Sequence, residues 1–372
     1  MDDHPAGPAS PGPRMPSLSV IIPVRNGGAD FERVLRGLRA FSPTDLELVV
    51  VDDGSQDDSA AIAARHGALV IRHDRPLGPA ASRNAGARAA SAPLLFFLDA
   101  DVLVHPDTIT RLLAHFAANP DLTALFGSYD DTPAAPGLVS QFRNLLHHYV
   151  HQSGHFVTDA RPAHTFWTGC GAIRRDTFLA LGGFDPRLYR QPAIEDIELG
   201  YRLTRAGYRI ALARDVQVTH LKRWTFTSMV RTDLLHRGIP WMLLILRTHI
   251  RETDLNVSPI QRASVLAIGL ALLAAMASPF TSQTVPAVFA CLILAILLNA
   301  PFYHFLATRR GPGFALASIP LHWTYFICCG ISVIAACILQ LVLPEPSVHS
   351  AHPRVPPPKS LLRSRRRWTR NR

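Results

Sequence analysis

Two acids stand one residue apart in LLFFLDADVLV (94–104), where Asp99 and Asp101 follow five apolar residues and are separated only by Ala100. Carboxylates this close repel each other unless a cation or a donor-rich ligand lies between them. A second acidic pair, Glu195 and Asp196, stands in AIEDIELG, and a third, Asp52 and Asp53, ends VVVDD ahead of GSQDDS. Each pair has a plain structural reading: a turn after 98, a cap for the helix after 53, and dipole partners in the first turn of a helix that begins near 195. The same side chains can also hold a hard cation or take a proton from a hydroxyl nucleophile. The choice depends on whether the fold makes the acids converge.

The elements between them support convergence. LSVIIPV (18–24) reads as a buried strand, followed by the loop Arg25-Asn26-Gly27-Gly28 and a helix capped by Asp30, whose apolar residues Phe31, Val34, Leu35 and Leu38 recur at helical spacing. LELVVVDD (46–53) is the next strand. Ser55 is expected to cap the helix after it, with Asp58 three residues on and Gly67 closing it. ALVIRH (68–73) is a third strand, GPAASRNAGARAAS (78–91) a small-residue helix, and LLFFL (94–98) a fourth strand apolar enough to be buried on both faces. Strands alternating with short helices over 18–118 predict an α/β domain with a mostly parallel sheet. Such sheets bind ligands at the carboxyl ends of their strands. The loops at 23–26, 52–55 and 99–101 are therefore expected to line one crevice. No G-x-G-x-x-G turn or P-loop is present, which argues against a dehydrogenase or an ATPase.

In order along the chain, LSVIIPVRNGG, VVVDDGSQDDS, GPAASRNAGARAA, FFLDADVLV, FWTGCGAIRRDTFLALGGFDPRL and EDIELGYRLTRAGYRI resemble the family 2 glycosyltransferases over roughly residues 17–224. The resemblance implies the GT-A nucleotide-diphospho-sugar transferase fold and a nucleotide-sugar donor. It places Pro23, Arg25, Asp52, Asp53, Arg83 and Asp99 against the nucleotide, with Arg83 read either as a phosphate or base contact or as an ion pair to Asp52 or Asp53. It implies a divalent metal, Mg²⁺ or Mn²⁺, on Asp101, with Asp99 on the ribose or a metal-bound water. It also implies Asp196 as the catalytic base, oriented by Glu195, for an inverting displacement. FWTGCG brings Trp167, Gly169 and Cys170 to the acceptor pocket. In HLKRW (220–224) the processive relatives carry Q-x-x-R-W; here His220 replaces glutamine, which counts against processive synthesis and makes His220 a candidate metal ligand. Arg223 is expected on the diphosphate, and Trp224 on a sugar ring or at the membrane surface. The tract HHYVHQSGH (147–155) reads as a solvated helix and loop rather than a metal site.

Composition divides the chain. The formal net charge is +10, but residues 354–372 hold eight Lys or Arg and no acid, so the charge points to anionic lipid headgroups and away from nucleic acid. Residues 260–343 are almost free of charge and offer apolar spans near 261–280, 284–306 and 314–343, whereas 241–246 is too short to cross and suits an interfacial helix. Three crossings would leave the basic tail on the side opposite the catalytic part, against the positive-inside rule. Of five cysteines only Cys170 precedes residue 255, and no disulfide or zinc spacing exists, which fits a catalytic part in a reducing cytoplasm. The expected organisation is a disordered leader (1–16), a catalytic domain (17–224), interfacial helices (225–255), about three membrane helices (256–343) and a basic tail (344–372). The function expected is transfer of a sugar, most simply UDP-linked, to a lipid-linked or membrane-proximal acceptor at the cytoplasmic membrane. A processive polysaccharide synthase and a non-catalytic sugar- or lipid-binding protein are the alternatives.

Overall fold

A computed structural model describes residues 16–41, 45–154, 156, 158–248 and 257–342. The expected leader up to residue 15, the segment 249–256 and the basic tail lie outside the described residues.

The chain runs β1 (Leu18–Val24), α1 (Gly28–Phe41), β2 (Leu46–Asp52), α2 (Ser59–Arg65), β3 (Leu69–Arg72), α3 (Pro79–Ala89), β4 (Leu94–Leu98), β5 (Val102–Val104), α4 (Thr108–Ala118) and β6 (Leu122–Tyr129). It continues with α5 (Leu138–Gln152), β7 (Ala160–Ala163), β8 (Cys170–Arg174), α6 (Arg175–Ala180), α7 (Glu195–Arg205) and β9 (Arg209–His220). The strands form one sheet in the order β3-β2-β1-β4-β8-β6-β9-β5, with β7 also paired to β9. The β3-β2-β1-β4 half is parallel, built from βαβ units, while β8 runs antiparallel between β4 and β6. All five residues of β4 are buried, as an apolar run at the centre of a parallel sheet requires.

Two local expectations are corrected. Asp30 lies in the first turn of α1 rather than at its cap. Ser55 does not cap α2, which begins four residues later behind Asp58. Instead the Ser55 amide donates to Asp52 Oδ1 at 2.8 Å, and its hydroxyl accepts from the Asn26 amide at 3.0 Å. Ser55 thereby ties the loops after β1 and β2 together.

After β9 the chain enters α8 (Phe226–Arg231), a π-helical turn (232–238) and α9 (Ile239–Thr248), the place expected for interfacial helices. Trp241 Nε1 donates to the Tyr201 hydroxyl of α7 at 2.9 Å, so α9 rests on the α/β part. The apolar region folds as α10 (Pro259–Ala277), α11 (Val285–Leu298), α12 (Ala300–Arg310) and α13 (Pro312–Val342). Among the described residues, α10 and α13 are long and apolar enough to cross a membrane, and the bent pair α11–α12 makes up to three. The expected second span is not one straight helix: it bends by 65° at Asn299, two residues before Pro301, whose ring removes a helical N–H. Buried Asn299 answers the break by donating to Ser264 Oγ and the Ala295 carbonyl, both at 2.8 Å.

The two ends of α13 meet different parts of the chain. Just ahead of it, Arg310 donates to Gln141 Oε1 at 2.9 Å and to the Asp131 carbonyl at 2.8 Å, and Arg309 pairs with Asp131 at 3.1 Å. Near its far end, Gln340 Oε1 accepts from Arg247 of α9 at 3.2 Å. The next residue, Thr248, accepts through its carbonyl from Arg205 of α7.

Candidate active site

Sheet register brings Asp101 and His220 together. β5 pairs antiparallel with β9, placing Val102 opposite His220, and the Leu221 amide donates to the Asp101 carbonyl at 2.8 Å. Asp101 Oδ2 then lies 3.5 Å from His220 Nε2. The tautomer of His220 follows from its other nitrogen. Asn144 on α5 donates through Nδ2 to the Ser140 carbonyl at 3.0 Å, so its Oδ1, 2.7 Å from His220 Nδ1, must be the acceptor. With Nδ1 donating to Asn144, Nε2 is left facing the Asp101 carboxylate, whose pKa burial raises but the contact with His220 holds below its usual range. A carboxylate and an imidazole nitrogen facing one cavity are groups a divalent cation accepts, and a hydrogen bond that fixes the far ring nitrogen is the usual support of a metal-bound histidine. The His220 ring also stacks on Tyr129, 4.3 Å away and 6° from parallel.

Asp99 behaves differently. Arg83, buried on α3, bridges Asp99 Oδ1 and Glu195 Oε1, both at 2.7 Å. Arg83 therefore pairs with neither Asp52 nor Asp53, contrary to that expected alternative, and instead ties the loop after β4 to the start of α7. Among the described residues no group of three or more His, Cys, Asp and Glu is arranged to hold a metal, so Asp99 does not complete a three-ligand set with Asp101 and His220. A cation there would draw its remaining oxygens from ligand or water.

Glu195 is 3 % exposed, with one oxygen on Arg83 and the other on the Ala193 amide at 3.0 Å, which leaves it positioned rather than free. Asp196 is held by hydrogen bonds alone, with no arginine on it among the described residues: its Oδ2 accepts from the Thr168 amide at 3.0 Å and hydroxyl at 3.2 Å, and its Oδ1 accepts from the Ile197 amide at 2.8 Å. Burial and the neighbouring Glu195 charge push its pKa up to about 6, against the lowering effect of the Thr168 amide.

These groups line one cavity of about 170 Å³: Asp99, Asp101, His220, Glu195, Asp196 and Arg83, with Tyr129, Trp167, Thr168, Lys222, Trp224 and Arg237 around them. Trp167 packs edge-on against Tyr129, and a Cβ at Gly169 would lie 2.3 Å from the Trp167 ring, so glycine is required there. Trp224 meets Lys222 Nζ 4.3 Å over its ring, and its Nε1 is buried without a partner.

Several expected residues stand elsewhere. Cys170 lies within the sheet opposite Leu98, fully buried, and burial pushes its thiol up to about 12. It is a core residue and does not line the cavity. Arg223 is exposed and also outside the lining, where Lys222 and Arg237 supply the positive charge. Pro23, Arg25, Asp52 and Asp53 lie at the same carboxyl edge of the sheet but outside this cavity. Burial raises the pKa of Asp53, yet hydrogen bonds from His73, the Leu77 amide and the Gly78 amide outweigh it and hold the carboxyl below its usual range. Asp53 thereby anchors the segment ahead of α3.

The histidine tract is not solvated. His148 and His151 are buried, bonded to the carbonyls of Tyr129 at 2.7 Å and Gly127 at 3.1 Å. His147 lines the cavity with both ring nitrogens buried and unpartnered, and burial holds it neutral, well below the usual histidine pKa. Tyr129, Asn144, His147, Lys222 and Arg237 were not read as site residues from sequence. Of these, His147, which opens the histidine tract, and Lys222, inside HLKRW, carried a positional signal.

Comparison with known proteins agrees with this architecture. The family model described as Glycosyl transferase family 2 matches residues 19–182. Validoxylamine A glucosyltransferase of Streptomyces hygroscopicus subsp. limoneus is 33% identical over 230 residues, covering 54% of this chain and 51% of that protein. Pre-mycofactocin glycosyltransferase of Mycobacterium tuberculosis is 31% identical over 239 residues, covering 59% and 47%. The chain thus spans about half the length of these curated relatives. The mannosyltransferase PcManGT of Pyrobaculum calidifontis, solved with GDP-Man and Mn²⁺, superposes with a TM-score of 0.51 at 20% identity over 88% of each chain, a likeness of fold. Residues 19–182 therefore match the glycosyl transferase family 2 model, the fold is like that of this solved mannosyltransferase, and apolar C-terminal helices follow.

Proposed function

We propose that the protein is an inverting, metal-dependent glycosyltransferase that moves a sugar from a nucleotide diphosphate donor, UDP-linked in this reading, to a lipid-linked or membrane-proximal acceptor. One observation carries the proposal: Asp101 with His220, and Asp196 with its raised pKa, open onto the same cavity. Asp101 and His220 would hold Mg²⁺ or Mn²⁺, supported by Nε2 lying 3.5 Å from the carboxylate at the cavity wall. A divalent cation bound there supplies charge neutralisation for the departing diphosphate. The loops after β1 and β2, with Pro23, Arg25, Asp52 and Asp53, are assigned to the nucleotide because they leave the same edge of the sheet.

Lys222 and Arg237 face the developing negative charge of the leaving group. Asp196 accepts the proton of the acceptor hydroxyl as its oxygen bonds to the anomeric carbon. The bond from that carbon to the diphosphate oxygen breaks, and the leaving group departs with the electron pair. A single displacement of this kind inverts the anomeric centre. Arg83 and Glu195 act through the other acids, fixing Asp99 and the start of α7.

The catalytic domain is assigned to the cytoplasmic face of the cytoplasmic membrane. Support comes from Arg309 and Arg310, which meet the catalytic domain at the end of α12 as the positive-inside rule asks. The test is a panel of nucleotide sugars offered with Mn²⁺ to the full chain in neutral nanodiscs. One donor should release its nucleotide, and the parent should transfer the sugar while Asp196→Asn does not. Release from none, or equal transfer by the variant, would overturn the assignment.

A further inference from the structure

Asn144, His147, His148 and His151 stand on one face of α5, at the i, i+3, i+4 and i+7 spacing that brings helical side chains to one side. The companions of His147 are taken: Asn144 holds His220, and the carbonyls of Tyr129 and Gly127 hold His148 and His151. His147 is different. It lines the catalytic cavity with both ring nitrogens buried and without a hydrogen-bond partner. A buried imidazole left unpaired costs free energy, so its place suits a ligand group that can bond it.

The surroundings of His147 indicate which reactant that is. Its ring lies 4.4 Å from Tyr129, which stacks on His220, and 4.6 Å from Trp167, whose neighbour Thr168 donates to Asp196. His147 thus stands between the pair assigned to the metal and the acid assigned as base. In an inverting displacement the transferred sugar occupies that interval, with the leaving diphosphate on one side and the acceptor hydroxyl on the other. Charge narrows the choice of group. Burial, with His151, Arg237 and Arg143 nearby, holds the ring neutral, so it offers one N–H and one lone pair. A phosphate oxygen only accepts and would leave the lone pair unused, whereas hydroxyls donate and accept and suit both nitrogens.

We propose that His147 is a specificity-determining residue for the transferred sugar: a ring nitrogen bonds one hydroxyl of that sugar, and donors lacking the hydroxyl are rejected because the ring is left unpaired. This rests on the glycosyltransferase reading and deepens it. Nucleotide release by the full chain in nanodiscs with Mn²⁺ tests it, first with UDP-glucose, UDP-galactose, GDP-glucose and GDP-mannose. The donor released fastest is then compared with its monodeoxy forms, each lacking one sugar hydroxyl. For the parent, one monodeoxy form should lose at least about tenfold in kcat/KM, the scale of one buried group left unpaired. His147→Phe, which keeps a planar ring without polar atoms, should bring that form and the full donor within about threefold of each other. His147→Leu gives the same reading where His147→Phe misfolds, and His147→Gln, which keeps a donor and an acceptor, should restore part of the discrimination. A parent that treats every monodeoxy form like the full donor would overturn the proposal, the result expected if water bonds the ring instead. A penalty that survives unchanged in a folded apolar variant would also overturn it. Release from no nucleotide sugar would overturn the enzymatic reading and this proposal with it, whereas release without a deoxy penalty overturns the proposal alone.

Discussion

Asp196 and Arg83 show how buried charged side chains serve opposite ends at this site. Asp196, pushed up to about 6 by burial and by Glu195, is a base at pH 7 and loses that role in mild acid. Transfer is expected to fall about tenfold per pH unit below 6, read as the acid limb of kcat/KM. The linkage sign is the reverse of a paired carboxylate. The folded state binds this proton more tightly than the unfolded chain, so the stabilising contribution is present below the ordinary value of 3.8 and lost as pH rises through about 6. Asp196→Asn should therefore be inactive yet melt higher than the parent at pH 8. Arg83→Met should do the opposite. It leaves Glu195 buried and Asp99 half-buried without their cation, at a cost of about 3–5 kcal/mol, seen as a lower melting temperature. The acids were legible in sequence because each ends an apolar run or opens a helix. The partners of Arg83 were not, because a contact 112 residues away in the chain depends on how α3 and α7 meet.

At the scale of elements, strands and helices through 118 followed their hydrophobic pattern closely: LSVIIPV and LLFFL became β1 and β4 with the expected bounds. Register across the sheet was not legible. Only the antiparallel pairing of β5 with β9 sets His220 beside Asp101, and only the placement of α5 under that pair sets Asn144 on His220. The histidine tract was misjudged for the same reason, since polar residues on α5 are buried when the opposite strand offers carbonyls to bond. Asn144→Ala should free the His220 ring to turn and weaken Mn²⁺ binding about 10–100-fold, measured by metal titration with the fold intact. Unchanged affinity would remove α5 from the site.

For the whole molecule, the contacts at both ends of α13 set the orientation of the membrane part. Arg309 and Arg310 before the helix reach the α/β part, Gln340 near its end reaches Arg247 of α9, which itself rests on α7, and α11–α12 is bent rather than straight. Cysteines placed at 313 and 342 in a background without native cysteines should accordingly react with a membrane-impermeant maleimide from the same face. Labelling from opposite faces would restore three crossings. The central claim is that acids from separate loops converge on one metal-assisted donor site. Its most direct measurement is nucleotide release from the preferred donor as a function of Mn²⁺, comparing the parent with Asp101→Asn. The parent should show saturable metal dependence, and the variant should lose at least about a hundredfold in rate, the scale of a lost transition-state electrostatic contact. Equal rates for both, or release independent of the metal, would contradict the claim.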